Sequence, residues 1–439
     1  MSVLLRGGTL LPLRDSPRPM WGDLLVSGTR IGGLGQVTPP PDTEVVDISG
    51  CVVMPGLVQT HVHLVQTLFR GLAEDMPLLQ WLRARIWPLE AAHDEASLRA
   101  SVRLGLLDLL MTGTTTILDM GTTKFGDIVA EELVRSGIRA RFGQAMMDFG
   151  EGVPPGLLET TRASLDAAGA LTKRWHKASS GRIGYVYMPR FALSCTRELL
   201  EAVTQLAKLS DLLVHTHSNE SVDERNAVVM ATGRTPMQYL LDTGIACERA
   251  IIAHGVHLDD QEIDILRTTK TSVAHCPSSN LKLGSGIAQV AKLRAARITV
   301  GIGADGAACN NQLDGFEEMR LATLLARVVS GLGTLTASDS MALATREGAK
   351  MLKIDQEVGT LEQGKRADLV VLDVNRLDGP GGDPAARILF GGGSRAVRHV
   401  LVDGEFLVRD GRPTKMDPDE VRTKAAEQLQ PLLKRAGLA

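Results

Sequence analysis

Six side chains with chemical potential recur at one kind of place in this chain. His61 and His63 flank Val62; His217, His254 and Asp305 follow at long intervals, and Glu220 stands three residues after His217. Each lies at or just past the end of a short apolar run. Side chains alternate along a strand, so the imidazoles of His61-Val62-His63 point to one side. Two imidazoles, a third from another strand and a carboxylate make a four-donor site for a divalent metal. Such an ion lowers the pKa of bound water toward about 7, which is the chemistry of a metal-dependent hydrolase.

A second His-x-His complicates the pattern. In Val214-His215-Thr216-His217 both imidazoles again share a side. His217 ends the run and carries Glu220 at the third place beyond it, whereas His215 lies one pleat deeper. We read His215 as a packed, hydrogen-bonded histidine of the interior.

These groups need a scaffold that presents strand ends together. Apolar or β-branched runs occur at residues 57–63, 114–120, 139–148, 183–189, 212–217, 250–256, 271–277 and 298–305, with helical periodicity between them, as at 198–209 and 289–297. Strands alternating with helices predict a parallel sheet, and eight such units predict a (β/α)8 TIM barrel, whose chemistry lies at the C-terminal strand ends. The flanks differ. Residues 1–55 carry β signals punctuated by Gly7-Gly8 and Ser27-Gly28, and the pattern returns over 357–415 around Asp403-Gly404, a hairpin signal. Neither flank holds enough apolar surface for its own core, so the two are expected to pair as one small β-sandwich domain beside a barrel of residues 56–356. Residues 38–41 and 379–382 read as loops, and 416–439 as a C-terminal helix.

Bulk properties narrow the function classes. At 439 residues the chain can bury a large core, and its formal net charge of −3 argues against nucleic acid or an anionic membrane as partner. No apolar stretch approaches the roughly 20 residues of a membrane span, and no signal-like block opens the chain. Cys51, Cys195, Cys247, Cys276 and Cys309 are scattered, with no Cys-x-x-Cys pair. A reducing cytoplasm is the expected location. Two motifs are decoys. Gly301-Ile302-Gly303-Ala304-Asp305-Gly306 satisfies a dinucleotide fingerprint, but residues 307–314 read as loop, so we expect its glycines to bring backbone close to a pocket at Asp305. Residues 359–365 mimic a phosphate loop, but Arg366 replaces the hydroxyl residue that would bind magnesium.

Pro55-Gly56-Leu57-Val58-Gln59-Thr60-His61-Val62-His63 resembles the opening of the barrel in the amidohydrolase superfamily, and the later motifs follow the order of its cytosine and guanine deaminase-like branch. The resemblance spans essentially the whole chain. It implies one divalent metal, zinc first and iron or manganese as alternatives, held by His61, His63, His217 and Asp305. Tyr187-Met188-Pro189-Arg190 offers no lysine to bridge a second ion. It implies catalytic roles for Glu220, which would protonate a ring nitrogen, for His254, which would hydrogen-bond the attacking oxygen, and for Asp305, which would accept a proton. Water and a small aminated heterocycle are the expected reactants, and a homodimer the expected assembly.

For the substrate, Gln66 and the segment Pro189-Arg190-Phe191 resemble guanine deaminase. A guanidinium suits a carbonyl beside a ring nitrogen, and a phenyl ring stacks on a flat heterocycle. Guanine is therefore the first expectation. Residues 70–90, ending at Glu90, and residues 276–286 look more like adenosine and S-adenosylhomocysteine deaminases, which makes such nucleosides the alternative. Triazine hydrolases, which remove amino or chloro groups, share the scaffold. Glu90 and His275 complete the expected substrate contacts.

Overall fold

The computed structural model describes residues 2–14, 18–377 and 381–439. Gly379 and Pro380 of the expected 379–382 loop lie outside them. Eight parallel strands are built around Leu57–His63, Thr114–Met120, Arg139–Gly143, Ile183–Tyr185, Val214–Ser218, Ala250–His254, Ser272–His275 and Val300–Ile302. They pair in ring order, with the first strand between the second and the eighth. Closure between the fourth and fifth runs through bridges from Tyr187 to Val214 and from Phe191 to His217. The strands carry apolar residues on both faces because helices cover the outside while side chains fill the inside. Val58, Leu118, Met120, Val186, Met188, Ile251 and Ala274 form an inner cluster with Ala349, Met351 and Leu352. Burying each large apolar side chain contributes about 1.5–3 kcal/mol.

The third and fourth strands break sooner than their apolar runs. Ala145–Met146 and Met188–Pro189 pair with each other in a separate two-stranded ladder. A register shift also interrupts the first strand's pairing with the second between Gln59 and Val62, the kind of irregularity that re-aims side chains beside active sites. The helices follow ordinary local rules. In Arg197–Ser210, Leu199, Leu200, Val203 and Ala207 are buried along one stripe, the Thr196 side chain accepts from the Leu199 amide, and Asp211 ends the helix at φ 58°.

The flanks share one nine-stranded sheet. Cys51–Pro55 from the N-terminal side pairs antiparallel with Leu369–Asp373 from the C-terminal side. The sheet closes on Leu5, Leu24, Ile31, Ile48, Leu369 and Leu401. Asp403 and Gly404, at φ 48° and 76°, turn the hairpin between Val397–Val402 and Glu405–Arg409. Gly7-Gly8 is not a turn: both residues lie inside Ser2–Leu10, at a register shift between Leu5 and Gly8. A left-handed glycine absorbs the extra residue there without ending the strand. The final helix, Pro418–Arg435, packs on Glu95–Met111, and its Ala425 and Leu432 join Phe69, Trp81, Leu82, Trp87 and Phe191 in one apolar cluster. Among the described residues no helix is long and apolar enough to cross a membrane.

Candidate metal centre and active site

Strand ends bring His61, His63, His217, His254 and Asp305 together, all buried except the part-buried His217. The register of the ladder does this: Ser218 pairs with His254, and Asp305 with Val62. His254 and Asp305 have φ of 75° and 60°, and Asn219, which leads into Glu220, has 56°. Non-glycine residues take this left-handed region at a cost, which surrounding structure must sustain. Around Asn219 that structure is visible: its carbonyl accepts from the Val256 and His257 amides, and its side-chain amide donates to the His257 carbonyl and to Glu262.

Each imidazole is oriented through Nδ1. His63 Nδ1 is 2.8 Å from the Met120 carbonyl oxygen and His217 Nδ1 is 2.7 Å from that of Arg190. A carbonyl only accepts, so both Nδ1 atoms carry the proton and both Nε2 atoms carry lone pairs. Yet the two Nε2 atoms face each other at 3.2 Å, a contact with no hydrogen between them. His61 Nε2, buried and without a partner among the described residues, lies 3.3 Å from Asp305 Oδ1, and His63 Nε2 lies 3.5 Å from the same oxygen. Donors around a tetrahedral zinc ion, bound at about 2.0–2.1 Å, are about 3.3–3.4 Å apart. Three lone-pair nitrogens and a carboxylate at such spacing fit a divalent cation and explain the facing nitrogens. Burial, followed by the neighbouring histidines, pushes His217 well below the ordinary histidine range and His63 down to about 3, which keeps both neutral as a ligand must be.

The acid–base groups adjoin the donors. Glu220 Oε2 is 3.4 Å from His254 Nε2, which is 3.9 Å from Asp305 Oδ2. Asn280 holds His254 Nδ1 at 2.9 Å, and the Ser279 hydroxyl donates to Asp305 Oδ2 at 2.6 Å. Burial and then the charge of Asp305 push Glu220 well above the usual carboxylate range, which favours its protonated form. Its amide donates to Glu224 Oε2 at 2.9 Å. Glu224 is itself pushed up to about 8 by burial and then by Glu220.

Above the donors opens a cleft lined by His63, Gln66, Leu78, Trp81, Leu82, Arg190, Phe191, His217, Glu220, His254 and Asp305. Gln66, Arg190 and Phe191 therefore reach it. Two expected contacts do not. Glu90 is set behind the wall, accepting from Arg190 at 2.5 and 3.0 Å and from the Gln66 amide at 2.9 Å. Burial pushes the Glu90 carboxyl up, but the charge and hydrogen bonds of Arg190, with His63 and the Gln66 amide, together outweigh it and hold the group below its usual range. His275 ends the seventh strand in full burial and is not among the residues that line the cleft. Leu78, Trp81 and Leu82 were missed. Their signal was the apolar run after Pro77, which lies off every strand end. The Trp81 indole N–H is buried without an acceptor among the described residues.

The glycines at the eighth strand do let backbone approach the pocket: a Cβ on Gly303 would lie 2.7 Å from the His61 carbonyl oxygen. A four-residue helix, Ala307–Asn310, does open behind Gly306, contrary to the loop expected there. It follows a barrel strand end occupied by Asp305, which leaves no cradle for a dinucleotide.

Residues 52–407 match the amidohydrolase family. The chain is 36% identical over 420 residues to a 5-methylthioadenosine/S-adenosylhomocysteine deaminase of Halobacterium salinarum, covering 95% of each protein. It is 36% identical over 413 residues to a 5'-deoxyadenosine deaminase of Methanothermobacter thermautotrophicus, covering 93% of this chain and 94% of the relative. In fold it resembles a zinc-bound adenosine deaminase from Xanthomonas campestris, at TM-score 0.92 and 28% identity over 98% of both chains. The guanine deaminase of E. coli is also similar, at TM-score 0.85 and 27% identity over 93% of this chain and 99% of that one.

Proposed function

The chain belongs to the amidohydrolase family, and from that premise we propose that it is a metal-dependent hydrolytic deaminase of adenosine-type nucleosides whose 5' hydroxyl is replaced by hydrogen or a thioether. This replaces guanine as the favoured substrate. The observation that carries the choice is the Arg190–Glu90 pair. Guanine recognition required both terminal nitrogens of Arg190 to face a carbonyl and its neighbouring ring nitrogen, but both are bonded to Glu90 in full burial. Taking one partner from a buried pair costs about 3–5 kcal/mol. Adenine has no carbonyl that needs those donors, and Leu78, Trp81, Leu82 and Phe191 suit a flat base and an apolar 5' group. The curated relatives named above support the same reading.

His61, His63, His217 and Asp305 would hold the ion, with zinc the first candidate. When bound, it supplies a water acidic enough to attack at neutral pH. The remaining steps belong to side chains. Glu220, protonated, gives its proton to the purine ring nitrogen beside the amino-bearing carbon, which makes that carbon electrophilic. Asp305 takes a proton from the attacking water, while His254, aimed by Asn280, hydrogen-bonds the oxygen. The amino group receives the proton taken up by Asp305 and leaves as ammonia, and the hydroxyl proton of the adduct returns to Glu220.

Ammonia release should be measured on 5'-methylthioadenosine, S-adenosylhomocysteine, 5'-deoxyadenosine, adenosine, guanine and an aminotriazine. A site that leaves buried polar groups unmatched discriminates by ~10⁴-fold, so the 5'-modified adenosines should exceed guanine by orders of magnitude in kcat/KM. Guanine or the triazine as best substrate overturns the nucleoside reading and leaves the metal chemistry standing.

A further inference from the structure

Of the three imidazoles that would hold the ion, two are oriented by main-chain carbonyls and one is not. His63 and His217 direct Nδ1 at the oxygens of Met120 and Arg190. His61 directs Nδ1 at another imidazole, His215 Nε2, 2.7 Å away. We propose that His215 is a positioning residue that fixes the proton of His61 on Nδ1 and so keeps its Nε2 lone pair for the metal.

The protons can be followed from the barrel wall inward. His215 Nδ1 lies 3.0 Å from the Ile251 carbonyl oxygen. That oxygen only accepts, so the proton of neutral His215 is on Nδ1 and its Nε2 is an acceptor. His61 Nδ1 must then donate, which leaves its Nε2 unprotonated. This is the nitrogen that is buried without a partner and lies 3.3 Å from Asp305 Oδ1. Both His61 and His215 are fully buried, so no bulk water can replace the acceptor. An apolar side chain at 215 would strand the His61 Nδ1 proton, and the ring could relieve that by moving the proton to Nε2, where it blocks the ligand lone pair. The second His-x-His thus has a division of labour: one residue faces the ion, and the other, one pleat below, sets a ligand on the opposite side of the barrel. Partners of this kind typically change metal affinity 10–100-fold.

The inference rests on His61 as a metal ligand, and the test separates the two. Zinc affinity of the purified protein is measured by competition with a chromophoric chelator, for wild type, His215→Met and His215→Gln. Methionine keeps the bulk without a strong acceptor; glutamine can place Oε1 where Nε2 was. We expect His215→Met to weaken zinc binding about 10–100-fold and His215→Gln to recover most of that loss. Wild-type affinity in His215→Met overturns the proposal, and so does equal weakening in both variants, which would assign the effect to packing. Should the methionine variant not fold, the ¹⁵N imidazole spectrum of zinc-loaded wild type decides: His61 must show a protonated Nδ1 and a metal-bound Nε2, and an unprotonated Nδ1 overturns the proposal. A wild type that takes up no divalent metal overturns the metal centre itself.

Discussion

The two walls of the cleft are built in different ways. The floor consists of residues at strand ends whose imidazoles are held from behind by main-chain carbonyls, as at His63 and His217. The facing wall comes largely from the segment after the first strand, with Gln66, Leu78, Trp81 and Leu82, and its polar part is held by one buried carboxylate, Glu90. A carbonyl in a barrel ladder cannot be exchanged by substitution, whereas Glu90 and Arg190 can. The floor's orientation is thereby set by backbone, while that of the wall depends on side chains that substitution can change.

The largest effect should come from breaking the floor. A His61→Ala/His63→Ala double variant should lose its metal by elemental analysis and its activity with it, because two of four donors are gone. Full metal retention would remove these residues from the centre. Next, Glu220→Gln should keep the metal and lose about 10²–10⁴-fold in turnover, since the amide keeps the shape but cannot deliver a proton. Near-normal turnover would exclude Glu220 as the proton donor.

A change in the wall sharpens the contrast. Arg190→Met should leave metal content unchanged but strand the Glu90 carboxylate with the Gln66 amide as its remaining side-chain donor, lowering stability by about 3–5 kcal/mol. Loss of metal in that variant would show that floor and wall are one unit. Denaturant unfolding and elemental analysis on the same sample separate the outcomes.

The smallest effect concerns Glu224, with a carboxyl pushed up to about 8 against an unfolded value of about 4.3. A group whose folded pKa is raised contributes stability that is complete below the unfolded value and is lost as pH rises through the folded one. Glu224→Gln removes that loss, so its Tm relative to wild type should climb from about pH 4.3 to about pH 8 and level off above. A pH-independent difference would mean that Glu224 does not titrate in that window.

The sequence alone determined the barrel, the pairing of its two flanks and the set of polar residues that meet at the strand ends. Those features are local: an apolar run predicts a strand, its last residue predicts a position at the mouth, and the alternation in His61-Val62-His63 predicts a shared side. Tertiary structure decided which atom faces which. Arg190 and Glu90 are 100 residues apart in sequence, and only the path of the segment between the first strand and its helix brings them into a bidentate pair. The same holds for His215, whose depth was legible but whose bond to His61 across 154 residues was not. Hydrogen bonds act over about 3 Å, so the spacing of residues along a chain can say that two groups share a face, while their contact depends on the closure of the barrel that brings distant strands together.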